Sequence, residues 1–94
     1  MTGGAVQHTT SWHIEVLLYE DGDRTRAEAV LRTSAGTELR SEGTARRNPK
    51  DTDVPEIGEE LATSRALSGL AHALFEATVA DIEQNVHRSV RLES

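Results

Sequence analysis

Ile57, Leu61, Leu67, Ala71, Leu74, Phe75, Thr78, Val79, Ile82 and Val86 fall in one stripe when successive residues are turned by about 100°. Arg65, His72, Glu76 and Glu83 flank the stripe on one side, and Glu59, Asp81 and Gln84 on the other. The pattern predicts a helix of about thirty residues, or about 45 Å at 1.5 Å per residue. A helix of that length outruns a sheet built from strands of ordinary length, so it must either break or overhang. Ser64, Ser68 and Gly69 have the weakest helix propensity in the run, which puts a break between about residues 62 and 69. The alternative is an overhang that packs on a second copy. Leu70 lies off the stripe and is the candidate dimer contact.

The surface that receives the helix is legible upstream. Trp12, Ile14, Val16 and Leu18 alternate with His13, Glu15, Leu17 and Tyr19, the period of a half-buried strand. EDGDR at 20–24 supplies Asp-Gly, whose tolerance of positive φ suits a tight hairpin turn. TRAEAVLRT at 25–33 runs back with Ala27, Ala29 and Leu31 on one face and Arg26, Glu28 and Arg32 on the other; Val30 breaks the alternation. Past a turn at Gly36, Leu39, Ser41, Gly43 and Ala45 oppose Glu38, Arg40, Glu42, Thr44 and Arg46. The expected fold is α+β, a three-stranded antiparallel meander followed by a long C-terminal helix on one sheet face. Keeping the buried faces together puts Arg32 beside Glu38 and Glu28 diagonal to Arg40. The small inward residues of the third run leave room for the helix to approach closely. RSVRLES at the end reads as a short extended tail.

Ninety-four residues make one domain, read as 11–92 behind a flexible tail at 1–10. A chain of this size buries only about 60 to 65% of its unfolded surface. With one Trp, one Tyr and one Phe, its core relies on smaller side chains, and dimerisation is the natural remedy. The absence of cysteine excludes disulfides, thiol catalysis and thiolate metal sites, and fits the cytoplasm. MTGGAVQHTT lacks the features of a signal peptide, and no eighteen apolar residues occur in succession, so no membrane span is expected. A net charge of -6 opposes general attraction to nucleic acid or anionic lipid.

Few residues suggest chemistry. Asp51, Asp53, Glu56, Glu59 and Glu60 could be imagined around a hard cation, but their spacing matches no EF-hand. Anions at a helix start complement its dipole and cap its free N–H groups, with either Asp53 as N-cap or Val54 as N-cap and Pro55 at the first helical position. His8, His13, His72 and His87 are too scattered for a metal pair. No GxSxG, Walker loop or HExxH occurs, so no enzyme activity, metal or cofactor is expected. Arg46, Arg47 and Lys50 form a basic cluster before the helix, with Arg26 and Arg40 on the adjoining sheet face. These five are the candidate RNA-binding residues, set against the simpler reading that they pair with nearby acids.

SWHIEVLLYEDGDRTRAEAVLR, G-x-A-R-x-N-P at 43–49, VPEIGEEL-x-x-x-RALSGL at 54–70 and ADIE at 80–83 together resemble the actinobacterial family called domain of unknown function 1876. The resemblance covers roughly residues 11–92. It implies a compact dimeric domain similar to the double-stranded-RNA-binding fold and to ribosome-hibernation factors, with a role in stress or dormancy. It implies no reaction. Glu56, Glu59 and Glu60 stand where a double-stranded-RNA-binding domain of the usual type meets phosphate with lysines, so RNA contacts do not transfer to those positions.

Two functions follow as expectations. One is a non-catalytic, homodimeric cytoplasmic protein that binds the ribosome or structured RNA under stress. The other is a homodimeric protein–protein interaction module that never touches RNA, suggested by the acidic charge and the off-stripe Leu70.

Overall fold

Three nine-residue strands, β1 (His13–Asp21), β2 (Arg24–Arg32) and β3 (Glu38–Arg46), precede one helix, α1 (Pro55–Glu93), in a computed structural model. The structure describes residues 7–48, 50 and 54–93, and side chains as far as Val86. The strands form an antiparallel sheet in the order β1-β2-β3, as their alternation predicts. Gly22 has φ of +64° and Asp23 does not share the positive sign, the pattern of a two-residue hairpin turn with glycine first. Gly36, at φ +88°, closes the second turn, where the Gly36 amide donates to the Thr33 carbonyl at 3.0 Å.

Register follows the parity of the sequence. Ala29 sits opposite Val16 on one side and Ser41 on the other, and Ala27 sits between Leu18 and Gly43. These residues line the face that carries the helix. Arg32 is opposite Glu38, and Glu28 reaches diagonally to Arg40, both as expected. Val30 lies on the other face yet is only 1% exposed. Its cross-strand neighbours are Glu15 and Arg40, and long side chains of the Arg40 type can shield apolar surface with their stems while their charged ends reach solvent.

The core explains how close the helix comes. Ala27, Ala29, Leu31, Ala45, Ala62, Ala66 and Leu70 are buried together, with Val16, Leu39 and Leu74 packed around them. A Cβ added to Gly43 would run into the Ala62 carbonyl and the Ala66 amide, so helix backbone rests directly on strand backbone there. A Cβ at Gly69 would instead meet the Ser41 side-chain hydroxyl, and one at Gly58 the Thr25 hydroxyl. The Arg65 guanidinium donates to the Thr44 carbonyl at 2.7 Å, tying the helix to the β3 edge. The helix lies over β2 and β3 and scarcely reaches β1.

Four expectations change. The helix is continuous from Pro55 to Glu93, with no break at residues 62–69, because Ser68 is exposed and Gly69 is used for close packing rather than for a bend. Its 39 residues span about 58 Å against about 30 Å for a nine-residue strand, so it overhangs. RSVRLE is the last part of the helix and not an extended tail. Leu70 is 3% exposed and belongs to the core of its own chain; it is not a dimer contact.

The fourth change concerns which face looks inward. The sheet receives Ala62, Ala66, Gly69 and Leu70, whereas Phe75, Val79, Ile82 and Val86 point about 155° away round the helix and are exposed. The cause is complementarity of size. A sheet lined by Ala27, Ala29, Ser41, Gly43 and Ala45 accepts a helix closely only through small residues, so the larger side chains turn outward.

Candidate functional site

The sheet face away from the helix is a lattice of opposite charges. Arg26 pairs with Glu42 at 3.1 Å and lies over the Tyr19 ring, 4.1 Å from its centre. Arg40 reaches Glu38 at 2.9 Å and Glu28 at 3.2 Å, and Arg32 reaches Glu38 at 3.0 Å. Of the candidate RNA-binding residues, Arg26 and Arg40 are thus held by carboxylates within the sheet. Hydrogen bonding from Arg40 outweighs an opposing effect of desolvation and, with further help from Arg32, holds the Glu38 carboxyl below its ordinary 4.5, while Glu38 raises Arg40.

The sign of the pH effect follows from that depression. The contribution of Glu38 to stability is complete above the unfolded value of 4.5 and is lost as pH falls through the lower folded value. A carboxyl-detected NMR titration should place the Glu38 midpoint below 4.5, and Arg40→Ala should move it upward. A midpoint at or above 4.5 in the parent chain would show that the pairing does not persist in solution.

Arg46, Arg47 and Lys50 gather at the amino end of the helix, beside the first hairpin. Arg46 pairs with Asp23 at 3.4 Å, and the Arg47 amide donates to the Asp23 carbonyl at 2.7 Å. The Lys50 amide donates to the Asn48 side-chain oxygen at 3.0 Å. Arg46, Arg47 and Asn48 join Glu20, Asp23 and the Val54–Leu61 segment around an open cleft of about 370 Å³. The cleft brings two of the predicted cations together, but Glu20 and Asp23 share it.

The helix starts at Pro55, where the Ile57 amide donates to the Val54 carbonyl at 3.0 Å. This fits Val54 as N-cap; Asp51 and Asp53 lie outside the described residues. Glu56 occupies the first turn, where a carboxylate complements the helix dipole. His72 contacts Glu76 at 2.9 Å along the helix, and the His87 side chain lies outside the described residues. Among the described residues, no group of three or more His, Asp or Glu is placed to hold a metal ion, and no helix is long and apolar enough to cross a membrane.

One further exposed surface is apolar. Phe75 is 65% exposed, Ile82 and Val86 are each 57%, and Val79 is 39%, all on the part of the helix that runs past the sheet. Their spacing is four, three and four residues, the interval of a helix–helix seam. Trp12, Ile14 and Leu18 are also exposed, because the helix covers β2 and β3 and leaves the same face of β1 open. The sequence identifies the helical stripe but turns all of it toward the sheet, whereas Leu74 packs against the core and Phe75, Val79, Ile82 and Val86 are exposed. The signal that corrects it is the second line of Gly58, Ala62, Ala66, Gly69 and Ala73, matched in size to Ser41, Gly43 and Ala45.

Comparison with known proteins finds close relatives. The model of the Rv2632c-like family matches residues 10–91. The uncharacterized protein Rv2632c of Mycobacterium tuberculosis is 48% identical over 77 residues, covering 82% of each chain. The uncharacterized protein Mb1767 of Mycobacterium bovis is 40% identical over 93 residues, covering 98% of each. A crystal structure of Rv2632c superposes with a TM-score of 0.79 at 43% identity, over 88% of this chain and 98% of that one.

Proposed function

The chain belongs to the Rv2632c-like family, and from that premise we propose that it is a non-catalytic, cytoplasmic, homodimeric protein–protein interaction module. The observation that carries this reading is the exposed Phe75–Val79–Ile82–Val86 line on a helix that overhangs its own sheet. A helix held in water by propensity alone is marginal, and most helices in proteins are stabilised by packing an apolar face. The overhang has such a face and no sheet beneath it. Consistent with this, the Cα radius of gyration is 19.8 Å, against about 12 Å for a compact chain of this length.

A ribosome- or RNA-bound role in stress or dormancy, and the likeness to double-stranded-RNA-binding domains, receive less support. With Arg26 and Arg40 paired inside the sheet, that role rests on Arg46, Arg47 and Lys50, and Arg46 already faces Asp23. So few cations on a chain of net charge -6 release few counterions, and affinity for phosphate would be low. Co-capture separates the two readings. A tagged copy should retain a differently tagged copy from lysate equally well with and without ribonuclease. Capture that disappears on ribonuclease treatment, or stoichiometric ribosomal RNA in the eluate, would contradict the module reading.

A further inference from the structure

β1 differs from its two neighbours in three respects that coincide on one strand. Being first in the sheet, it leaves one row of its backbone N–H and C=O groups without a strand partner. The helix covers β2 and β3, so Trp12, Ile14 and Leu18 form an open apolar shelf beside that row. The third respect is charge. On β2 and β3, Glu28, Glu38 and Glu42 are each matched by an arginine. β1 carries Glu15, Glu20 and Asp21 with no lysine or arginine, and none of the three makes an ion pair among the described residues. Glu15 acts on Arg40 only through its field.

Native sheets blunt their edges with lysine, proline, a bulge or a charge turned toward the core. From 12 to 19 the chain has no lysine, no proline and no charge on the helix-side face, and its register with β2 is unbroken. The opposite edge is different: the helix lies over β3, and Arg65 occupies the Thr44 carbonyl.

We propose that β1 takes up an extended segment of a partner protein as a fourth strand, one in which apolar residues alternate with lysine or arginine. The apolar side chains of that segment lie beside Ile14, Val16 and Leu18 and extend the shelf. The strand period then puts its cations on the other face, where Glu15 and Asp21 stand. This rests on the interaction-module reading and names a partner for it, on a surface separate from the Phe75–Val86 line. A second copy is the poorer occupant of this edge, since it brings Glu15, Glu20 and Asp21 of both chains together with no lysine or arginine between them.

A nine-residue peptide of alternating lysine and valine, the length of β1, is the probe. Titrated into the parent chain at physiological ionic strength, it should shift the β1 amide resonances and protect the outward-facing ones from exchange, leaving those of residues 75–86 unmoved. A peptide of the same composition with its lysines gathered at one end should bind at least about tenfold more weakly. Ile14→Lys, which puts a charge on the shelf at an exposed position, should weaken the alternating peptide by a similar factor, and Phe75→Glu should leave it unchanged. Equal binding of the two peptides would show attraction to net charge alone and overturn the proposal. So would shifts confined to the helix, or no binding at all. Outward-facing β1 amides already protected in the parent chain would give this edge to a second copy and also overturn it. Sedimentation of the parent chain without peptide reports on the dimer separately, so either reading can fail alone.

Discussion

Gly43→Ala should lower the stability of the chain by about 3 kcal/mol, the upper part of the range for overpacking a well-filled core. Gly43→Val should leave no cooperative unfolding transition at all. The glycine is needed for space and not for an unusual backbone angle, since only Gly22 and Gly36 have positive φ. A Cβ at residue 43 meets the backbone of Ala62 and Ala66, and neither is a flexible side-chain end that could swing aside. The helix would have to lift from β3, separating Ala62 and Ala66 from Ala27 and Ala45. For a domain of this size, about 3 kcal/mol corresponds to a fall in Tm of more than about 10 °C. Thermal unfolding by circular dichroism checks it; a Gly43→Ala chain that melts within a degree or two of the parent would contradict the close approach.

Phe75→Glu combined with Ile82→Glu should convert the proposed dimer to a monomer without disturbing the sheet. Both positions are exposed in the single chain, and glutamate is at least as good a helix former as either residue it replaces, so neither change removes a core contact. In the dimer the same changes place four carboxylates in an apolar seam, where each loses hydration without gaining a partner. The dissociation constant should rise at least about 100-fold, equivalent to about 2.7 kcal/mol. Sedimentation velocity at a fixed micromolar concentration should show loss of the dimer boundary, while strand-proton chemical shifts stay those of the parent. Unchanged association would assign the interface to another surface.

The sheet was largely legible from alternation. Trp12 to Leu18, Ala27 to Leu31 and Leu39 to Ala45 each declare a face, Gly22 and Gly36 mark the turns, and parity then fixes Arg32 beside Glu38. The same pairing rule foretold that Arg40 would meet Glu28, which engages one candidate phosphate ligand; Arg26, the second, is engaged by Glu42. The helix was legible as a helix, but its inward face was not. A periodic stripe reports that a face avoids water and is silent about which neighbour supplies the cover. Here two faces are apolar. Small side chains meet the small-residue sheet and large ones point the other way, so a reading that ranks residues by hydrophobicity selects the outer face. Leu70 was misplaced for the same reason: off the outer stripe, it lies close to the inner line of Ala62, Ala66 and Ala73.

The role of the corner at Arg46, Arg47 and Lys50 was less legible because the chain alternates sign there at short range. Arg46 lies beside Asp23, which is distant in sequence and near only once the hairpin forms. Sequence spacing shows the cations as a cluster and hides the acids that the fold brings to them.

The central claim is that the outer face of the helix is covered by a second copy. Sedimentation equilibrium of the parent chain over a range of micromolar concentrations tests it most directly. The account predicts a mass of twice the 10.3 kDa chain, falling to the single-chain mass for the Phe75→Glu, Ile82→Glu variant under the same conditions. A parent mass of one chain throughout that range would contradict it.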